Sequence, residues 1–229
     1  MSRRSAKSGA FQEPKQARTR KQLARILDTA DLLFGERGYE GTRLADIAAA
    51  VPCSMSTIYD RFASKEALLH YMHRQGTERA IAMIETLAPT GSASTDPRSA
   101  GAEAAAVGDL REVLPGALRI GFELIHRFRG RRRAVLERMH ADPVLWELEL
   151  ELREALVDAG KRFLLAYRNQ FRHPEPELAA AQAMHLMMRL TEDRHTPLPV
   201  PEPLQLDDDA FIQEACRMVW GYLGVEPTP

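Results

Sequence analysis

The side chains best suited to recognition chemistry lie close together in the N-terminal quarter of the chain. Within six residues the sequence combines three aliphatic hydroxyl groups with an apolar and an aromatic side chain: Ser54, Met55, Ser56, Thr57 and Tyr59. A helix with such residues on its outer face fits the major groove of B-DNA, where small polar and apolar groups contact base edges. The pattern predicts a surface that reads duplex DNA. The alternatives are that the hydroxyl groups cap a surface helix and that Tyr59 packs on a neighbouring helix.

The sequence does not indicate the chemistry of an enzyme or a metal centre. Glu147, Glu149 and Glu151 would fan around a helix rather than converge, so paired-carboxylate catalysis is not expected. There is no glycine-rich phosphate loop after a strand and no Gly-x-Ser-x-Gly motif. Five histidines are scattered without metal-ligand spacing: His126, His140, His173, His185 and His195. We therefore expect no catalytic residues, no bound metal and no cofactor.

Charge is divided unevenly along the 229 residues. Up to Lys65 there are twelve Lys and Arg residues against seven Asp and Glu residues, whereas the remainder holds 19 against 25, for a net charge of −1. A basic N-terminal quarter ahead of an acidic remainder favours contact between the N-terminal part and a polyanion.

The overall composition is that of a globular protein with one large domain or two small ones, since 45% of the residues are hydrophobic and 28% are charged. No run approaches eighteen apolar residues, and the basic N-terminus lacks the apolar stretch of a secretory signal. Cys53 and Cys216 lie too far apart in sequence to suggest a disulfide framework. We expect a soluble protein of the reducing cytoplasm, with no membrane partner.

Hydrophobic periodicity predicts an all-α chain. A first amphipathic helix ends at Gly38, and Thr42, Ser54 and Ser64 are the predicted N-caps of three further helices. The last of these should continue to about Leu87. The turn between the second and third helices has the spacing of a helix-turn-helix.

Two segments interrupt the helical pattern. Residues 1–19 are basic and aperiodic and predict a disordered arm, and residues 89–108, rich in Ala, Gly, Ser, Thr and Pro, predict a flexible connection. Asp142-Pro143 is typical of an N-cap followed by proline at the first helical position. Further helices are predicted near residues 110–128, 131–140, 143–171, 177–193 and 208–223.

Residues 26–68 resemble the DNA-binding domain of the TetR family of bacterial transcriptional regulators. The most specific part is Thr-Ile-Tyr-x-x-Phe, which begins at Thr57, followed by Ser-Lys-Glu-x-Leu, which begins at Ser64. The resemblance extends over about residues 20–80 with no insertion. It implies a three-helix head over these residues, with the helix-turn-helix at about 43–62, and a helical body over residues 81–229 that dimerises and usually binds a small ligand.

The resemblance also implies a role for individual residues. Thr42 and Arg43 would lie at the phosphate backbone, residues 54–61 including Arg61 would enter the major groove, Tyr59 would reach a phosphate or a base, and Lys65 would hold a backbone phosphate. The implied core residues are Leu27, Phe34, Ile47, Ile58 and Phe62.

Two positions depart from the family pattern. Val51-Pro52-Cys53 replaces the usual Ala-Gly-Val in the turn, and proline fixes φ near about −65° where glycine tolerates a left-handed backbone. We therefore expect a turn of a different shape and a less certain angle of the recognition helix. Ser56 replaces a glycine and adds a hydroxyl group that could contact a base or a phosphate.

The densest basic cluster outside the head is Arg-Gly-Arg-Arg-Arg at residues 129–133. A solvated corner between helices is the favoured interpretation. The alternatives are a second nucleic-acid site and a route that couples a ligand to DNA binding.

The remaining chain predicts a ligand pocket and a dimer interface. Soft methionine and amphipathic aromatic side chains can line an adaptable apolar cavity, although core packing is the commoner role for any one of them. The candidate pocket residues are Phe122, His126, Met139, Trp146, Phe163, Tyr167, His185 and Met188. Two C-terminal helices are apolar on more than one face, which favours a four-helix interface between protomers. Its candidate residues are Leu178, Ala181, Met184, Phe211, Ala215, Met218 and Val219.

Together with the resemblance to the TetR family, these features predict a homodimeric repressor that places its recognition helices on a palindromic operator, with half-sites about 34–36 Å apart or a multiple of that. The resemblance implies that it lies in the bacterial cytoplasm and associates with the nucleoid by binding this operator. A small apolar or amphipathic ligand would shift the protein to a state that no longer matches DNA. One alternative is a DNA-binding regulator without an inducer, whose body serves dimerisation or protein contact. A helical enzyme is the other, much weaker alternative.

Overall fold

The computed structural model describes residues 17–52, 55–87, 108–194, 201 and 205–226. These residues form nine α-helices, one short 3-10 helix at Arg168–Gln170 and no strand, so the predicted all-α fold is confirmed for the described part of the chain. The helices are α1 (Ala17–Arg37), α2 (Leu44–Ala50), α3 (Met55–Tyr59), α4 (Lys65–Leu87), α5 (Leu110–Arg127), α6 (Arg129–Arg138), α7 (Pro143–Leu165), α8 (Pro176–Arg194) and α9 (Asp208–Leu223).

The predicted arm and connection fall mainly outside the described residues. α1 begins at Ala17, so its first turn lies within the segment that the sequence assigned to the arm. Residues 1–16 and 88–107 lie outside the description, as do Cys53 and the predicted cap Ser54. None of the helices built from described residues is long and apolar enough to span a membrane.

Two of the predicted helix caps are confirmed. The Ser64 hydroxyl accepts the Ala67 N–H at 3.2 Å at the start of α4. The Asp142 carboxylate accepts the Leu145 N–H at 3.0 Å, and Pro143 is the first residue of α7. Both follow the rule that a short polar side chain satisfies one of the first N–H groups of a helix.

The predicted cap at Thr42 is wrong by one residue. The N-cap of α2 is Arg43, whose N–H donates to the Asp46 carboxylate at 2.9 Å. Thr42 is completely buried, and its hydroxyl donates to the carbonyl oxygens of Leu33 at 3.1 Å and Gly38 at 2.8 Å. Its hydroxyl therefore closes the turn after α1 rather than the first turn of α2.

α7 ends at Leu165, six residues before the predicted end. The chain then forms the 3-10 helix, whose last residue, Gln170, accepts the Leu110 N–H at 3.0 Å and donates to the Gly108 carbonyl at 2.8 Å. These side-chain bonds tie the turn to the start of α5. The sequence contains no proline or glycine at this point that would have indicated the earlier end.

The chain divides into two compact units. One, here called the head unit, comprises Met1–Gln75 and Arg129–Leu148; the other, the body unit, comprises Gly76–Phe128 and Glu149–Pro229. The inclusion of α6 and the start of α7 in the head unit was not part of the sequence-based domain division, which placed every residue after 80 in the body.

The head unit has an apolar core supplied chiefly by α1, α2, α3 and α4. Ile26, Ile47 and Ile58 are fully buried, and Phe62 is nearly so. Burying a side chain of this size stabilises the fold by about 1.5–3 kcal/mol. Leu27, which was also expected in the core, is only partly buried because it lies beside the buried stripe of α1 rather than on it.

The body unit has a separate core. Buried residues of α5, α7, α8 and α9 contribute to it, and on α8 they include Ala179, Ala180 and Ala183, whose small side chains allow close helix packing. The Arg153 guanidinium lies within this unit and pairs with Glu149 at 2.6 Å and Glu192 at 2.7 Å. A partly buried arginine that pairs with two carboxylates avoids the cost of an unpaired charge.

Candidate nucleic-acid interface

α3 presents a polar and aromatic surface because its opposite side is anchored in the head core. Ile58 is fully buried, whereas Ser56 and Tyr59 are exposed and Thr57 is half-buried. Tyr59 retains 49% of its accessible surface, so the alternative that it packs on a neighbouring helix is not supported. The short helix therefore offers the groups that the sequence predicted for contact with base edges.

The outward position of these residues is reinforced by the turn that follows α3. The N–H groups of Arg61 and Phe62 both donate to the Ile58 carbonyl, at 3.0 and 2.8 Å. Phe62 is thereby drawn into the core, where its ring lies 5.6 Å from that of Tyr71. Two of the residues predicted to enter the major groove are not covered, because Ser54 and the side chain of Met55 lie outside the described residues. A third, Arg61, is half-buried.

The turn between α2 and α3 begins with extended backbone. Val51 ends α2 with φ −109° and ψ 139°. This conformation suits a residue before proline, because the proline ring disfavours the helical region for its predecessor. Pro52 thus ends α2 on steric grounds, while the shape of the remaining turn, which includes Cys53, stays a prediction.

Of the predicted phosphate-binding residues, Arg43 is exposed and Thr42 is not available. Complete burial and two hydrogen bonds to carbonyl oxygens direct the Thr42 hydroxyl into the protein. The prediction that this side chain lies at the phosphate backbone is therefore wrong. The sequence could not distinguish a threonine that faces solvent at a cap from one that closes the preceding turn.

Lys65 is held against Tyr39 at the start of α4. Its ammonium group donates to the Tyr39 carbonyl at 2.7 Å and lies 3.9 Å from the centroid of the Tyr39 ring. Burial raises the pKa of the Tyr39 phenol above its usual value, and the neighbouring Glu66 carboxylate adds to the rise. An ammonium group has three donors, so Lys65 can still donate to a phosphate from this position.

The basic cluster at residues 129–133 packs against α1, and the interpretation as a solvated corner is wrong for its central residues. Gly130 is buried, and a Cβ built on it would lie 1.7 Å from the Asp31 carbonyl oxygen. The Arg131 N–H donates to the Asp31 carboxylate at 2.7 Å, and its guanidinium donates to the Met72 carbonyl at 3.2 Å. The Arg133 guanidinium donates to the Gly35 carbonyl at 2.8 Å.

The Asp31 carboxylate caps the start of α6 from a partly buried position. Burial raises its pKa above the usual 3.8, even though hydrogen bonds from the Arg131 and Gly130 N–H groups and the Arg131 charge act in the opposite direction. α6 is therefore fastened to α1 by hydrogen bonds and by a glycine that permits close approach. The one sequence feature that indicates this close packing is the glycine between arginines. It was not used, because a cluster of arginines is typical of a solvated surface.

Comparison with known proteins decides the relationship of the head. Residues 26–72 match the profile of the family described as "Bacterial regulatory proteins, tetR family". Over these residues, about a fifth of the chain, the sequence is similar to the TetR family. The match falls on α1 to α4, including the exposed face of α3.

Curated relatives are similar to this chain over part of its length. An uncharacterized HTH-type transcriptional regulator of Mycobacterium tuberculosis is 36% identical over 77 residues, which is 31% of this chain and 38% of the relative. The Staphylococcus aureus biofilm operon icaADBC HTH-type negative transcriptional regulator IcaR is 43% identical over 44 residues, 19% of this chain and 24% of the relative. These alignments span less than two-fifths of the relatives. The relatives carry the names of transcriptional regulators, not of enzymes.

Solved structures share the fold along nearly the whole chain. A tetR-family regulatory protein from Rhodococcus has a TM-score of 0.64 at 18% identity, covering 90% of this chain and 99% of the other. A transcriptional regulator from Saccharomonospora viridis in complex with choline has a TM-score of 0.60 at 20% identity, covering 93% and 100%. At these identities the likeness shows the fold.

Within the part of the chain that the structure describes, the predicted ligand residues are not gathered around one cavity. Phe122, Phe163 and Tyr167 are buried in the body unit, whereas His126 and His185 are exposed. Met139, half-buried, and Trp146, 48% exposed, belong to the head unit, and Met188 is half-buried in the body unit.

One small apolar cavity lies in the body unit. It is lined by Leu118, Phe122, Met187, Phe211 and four further residues and measures about 10 Å³. This volume holds at most one water molecule. Among the described residues no group of three or more histidine, cysteine or acidic side chains could hold a metal ion.

The predicted dimer residues divide into three groups. Ala215 and Val219 are buried within the body unit, and Met184 packs against its core, so these three serve the protomer itself. Leu178 and Met218 retain 49% and 48% of their surface. Ala181 and Phe211 are intermediate. Tyr222, which the sequence-based list did not include, is also exposed, on α9 one turn after Met218.

Proposed function

We propose that this chain is a sequence-specific DNA-binding transcriptional regulator. The observation that carries the proposal is the exposed face of α3, where Ser56, Thr57 and Tyr59 lie opposite the buried Ile58 within a TetR-family head. A helix docked in this way presents side chains of the right size to base edges in the major groove. Arg43 and Lys65 supply the contacts to phosphate, which position the helix without reading sequence.

The regulator acts as a homodimeric repressor on a palindromic operator. Leu178, Met218 and Tyr222 on α8 and α9 leave apolar surface that a second copy can cover. A two-fold dimer places its recognition helices in half-sites about 34–36 Å apart or a multiple of that. Repression is supported by the similarity to IcaR, which is named as a negative transcriptional regulator.

A DNA-binding assay with two variants tests this proposal. A short duplex enriched by the wild-type protein from a random pool is compared with a scrambled duplex by fluorescence anisotropy. We expect Thr57→Ala and Tyr59→Ala to weaken binding to the enriched duplex by about 10- to 100-fold, since one base contact is worth about 1–3 kcal/mol. Thr86→Ala, which removes an exposed threonine from α4, is the matched control. Equal, salt-driven binding to both duplexes by every protein would refute the proposal.

A finer proposal is that a small apolar or amphipathic ligand binds the body and releases DNA. The choline complex of the Saccharomonospora viridis regulator, which shares the fold, supports a ligand in such a body. Release of a preformed DNA complex by a panel of amphipathic molecules that includes choline, with a rise in melting temperature, is the expected result.

A second candidate is a regulator without an inducer, and the cavity of about 10 Å³ favours it. The described apolar core around this cavity is filled by its own side chains and has no room for a ligand unless helices separate. This candidate predicts that no member of the panel changes either DNA affinity or melting temperature.

A further inference from the structure

The turn between α1 and α2 is held by a residue far away in the sequence. The Tyr39 N–H donates to the Glu137 carboxylate at 2.6 Å, across 98 residues. Glu137 lies near the end of α6, and its other carboxylate oxygen accepts the Arg133 Nε–H at 2.8 Å. The carboxylate is thus fixed from both sides, by its own helix and by the turn that it contacts.

A glycine makes room for this carboxylate. Gly38 has φ +72°, a left-handed conformation that glycine adopts without strain. A Cβ built on Gly38 would lie 2.9 Å from both Glu137 carboxylate oxygens. The same glycine therefore permits both the backbone turn and the close approach of Glu137.

The turn between α1 and α2 also holds the ammonium group of Lys65. Tyr39 is 1% exposed, so its backbone and ring have fixed positions. Its carbonyl accepts from Lys65 Nζ at 2.7 Å and its ring lies beneath the same atom at 3.9 Å. The backbone of Tyr39 thus connects the Glu137 carboxylate, through its N–H, with the Lys65 ammonium, through its carbonyl.

We propose that Glu137 is a positioning residue for DNA binding, which acts through Tyr39 to place the Lys65 ammonium for a phosphate contact. This inference rests on the proposed DNA-binding function. Glu137 itself carries the charge that phosphate repels, and it is 34% exposed. On charge alone its removal should strengthen DNA binding. Positioning makes the opposite prediction, so the sign of the effect distinguishes the two.

The test measures affinity for the enriched duplex over a series of salt concentrations. Each phosphate contact contributes about 0.9 to the slope of log K against log salt. Lys65→Ala should make the slope shallower by about this amount and weaken binding about fivefold to tenfold. Glu137→Ala should produce a similar change, and the double variant should add little, because both substitutions remove the same contact.

Two further variants separate positioning from a general effect on the fold. Glu147→Ala removes a glutamate that is exposed on α7 within the same unit, and it should leave the slope unchanged. Glu137→Gln keeps an oxygen that can accept the Tyr39 N–H and should keep the wild-type slope. It also serves if Glu137→Ala does not fold, since loss of the slope in a folded Glu137→Gln protein would overturn the inference.

The result that would refute the proposed function differs from the result that would refute only the role of Glu137. If the wild-type protein enriches no duplex and binds all DNA alike, the proposed function falls and this inference falls with it. If the wild type binds selectively but Glu137→Ala lowers only the melting temperature and keeps the wild-type slope, Glu137 is structural and the inference alone is overturned.

Discussion

Polar residues of the head unit are held by backbone groups, and this decides what each can do. The Thr42 hydroxyl donates to two carbonyl oxygens in a completely buried position, whereas the Lys65 ammonium uses one donor on the Tyr39 carbonyl. A threonine hydroxyl has one proton and an ammonium group has three. Thr42 is therefore committed to the fold, and Lys65 can serve the fold and DNA together.

Thr42→Val tests this assignment at the residue scale. Valine keeps the shape but leaves the Leu33 and Gly38 carbonyls without this donor, so the free energy of unfolding should fall by about 1–2 kcal/mol. Urea denaturation measures the loss. The salt dependence of DNA binding should stay that of the wild type. An unchanged stability with a shallower salt slope would show that Thr42 contacts phosphate after all.

Asp142 is a residue of the head unit whose negative charge stabilises the fold. Burial acts to raise its pKa, but hydrogen bonds from the Leu145 N–H and from His70 at 2.8 Å outweigh it and hold the pKa below the usual 3.8. A carboxyl group whose pKa is lowered in the folded state stabilises that state above its unfolded pKa, and the contribution is lost as the pH falls through the folded pKa.

Asp142→Asn should isolate this charge, because asparagine remains a good N-cap. At pH 7 we expect the variant to be less stable by about 1–2 kcal/mol, and the difference should shrink below about pH 4 as wild-type Asp142 becomes protonated. Urea denaturation from pH 7 to pH 3 checks the trend. A difference that stays constant over this range would contradict the role of the charge.

The sequence predicted which residues lie on the exposed face of α3, but it predicted less well which residues hold the neighbouring turn in place. Ile58 and Phe62 are apolar at helical spacing, so their burial and the outward position of Ser56 and Tyr59 follow from periodicity. The prediction that Thr42 is accessible to phosphate was wrong, because the burial of Thr42 depends on the packing of the turn after α1. No local sequence pattern encodes that packing.

At the scale of elements, α6 is the helix whose role differs most from expectation. Its N-terminal half is arginine-rich, yet it packs along α1 through Gly130 and hydrogen bonds to backbone carbonyls. The sequence predicted a helix here within two residues of its bounds. It could not predict the partner, because arginines that donate to carbonyl oxygens and arginines that face solvent have the same spacing.

Gly130→Ala tests the contact between α6 and α1. The added Cβ would meet the Asp31 carbonyl oxygen and the Gly35 nitrogen, both backbone atoms that cannot turn aside. We expect the free energy of unfolding to fall by about 2–3 kcal/mol. Gly121→Ala in α5 is the matched control, because no atom of the described residues lies within 4 Å of its Cβ position, and it should raise stability by about 0.5–1 kcal/mol. Similar effects of the two substitutions would contradict the close contact.

At the scale of the whole molecule, each unit is assembled from two separate segments of the chain. A single boundary drawn along the sequence cannot represent this arrangement, which arises because α4 and α7 each contribute residues to both units.

Periodicity predicted that α8 and α9 carry apolar residues on more than one face, but it does not tell which of these residues pack within the protomer. Ala215 and Val219 do so, and Leu178 and Met218 do not.

Leu178→Glu combined with Met218→Glu should therefore convert the proposed homodimer to a monomer. Two carboxylates per protomer would have to be buried without partners in the interface, which is costly. Sedimentation velocity at micromolar concentration measures the change. Leu32→Glu, which alters an equally exposed leucine of α1, should leave the dimer intact. A double variant that still sediments as a dimer would place the interface elsewhere.

The most direct test of the account is hydroxyl-radical footprinting of the enriched duplex with the wild-type protein and Tyr59→Ala. The account predicts two protected stretches related by two-fold symmetry and centred about 34–36 Å apart, or a multiple of that, which vanish with Tyr59→Ala at the same protein concentration. Uniform protection along the duplex that fades with added salt and is the same for both proteins would contradict sequence-specific binding through α3.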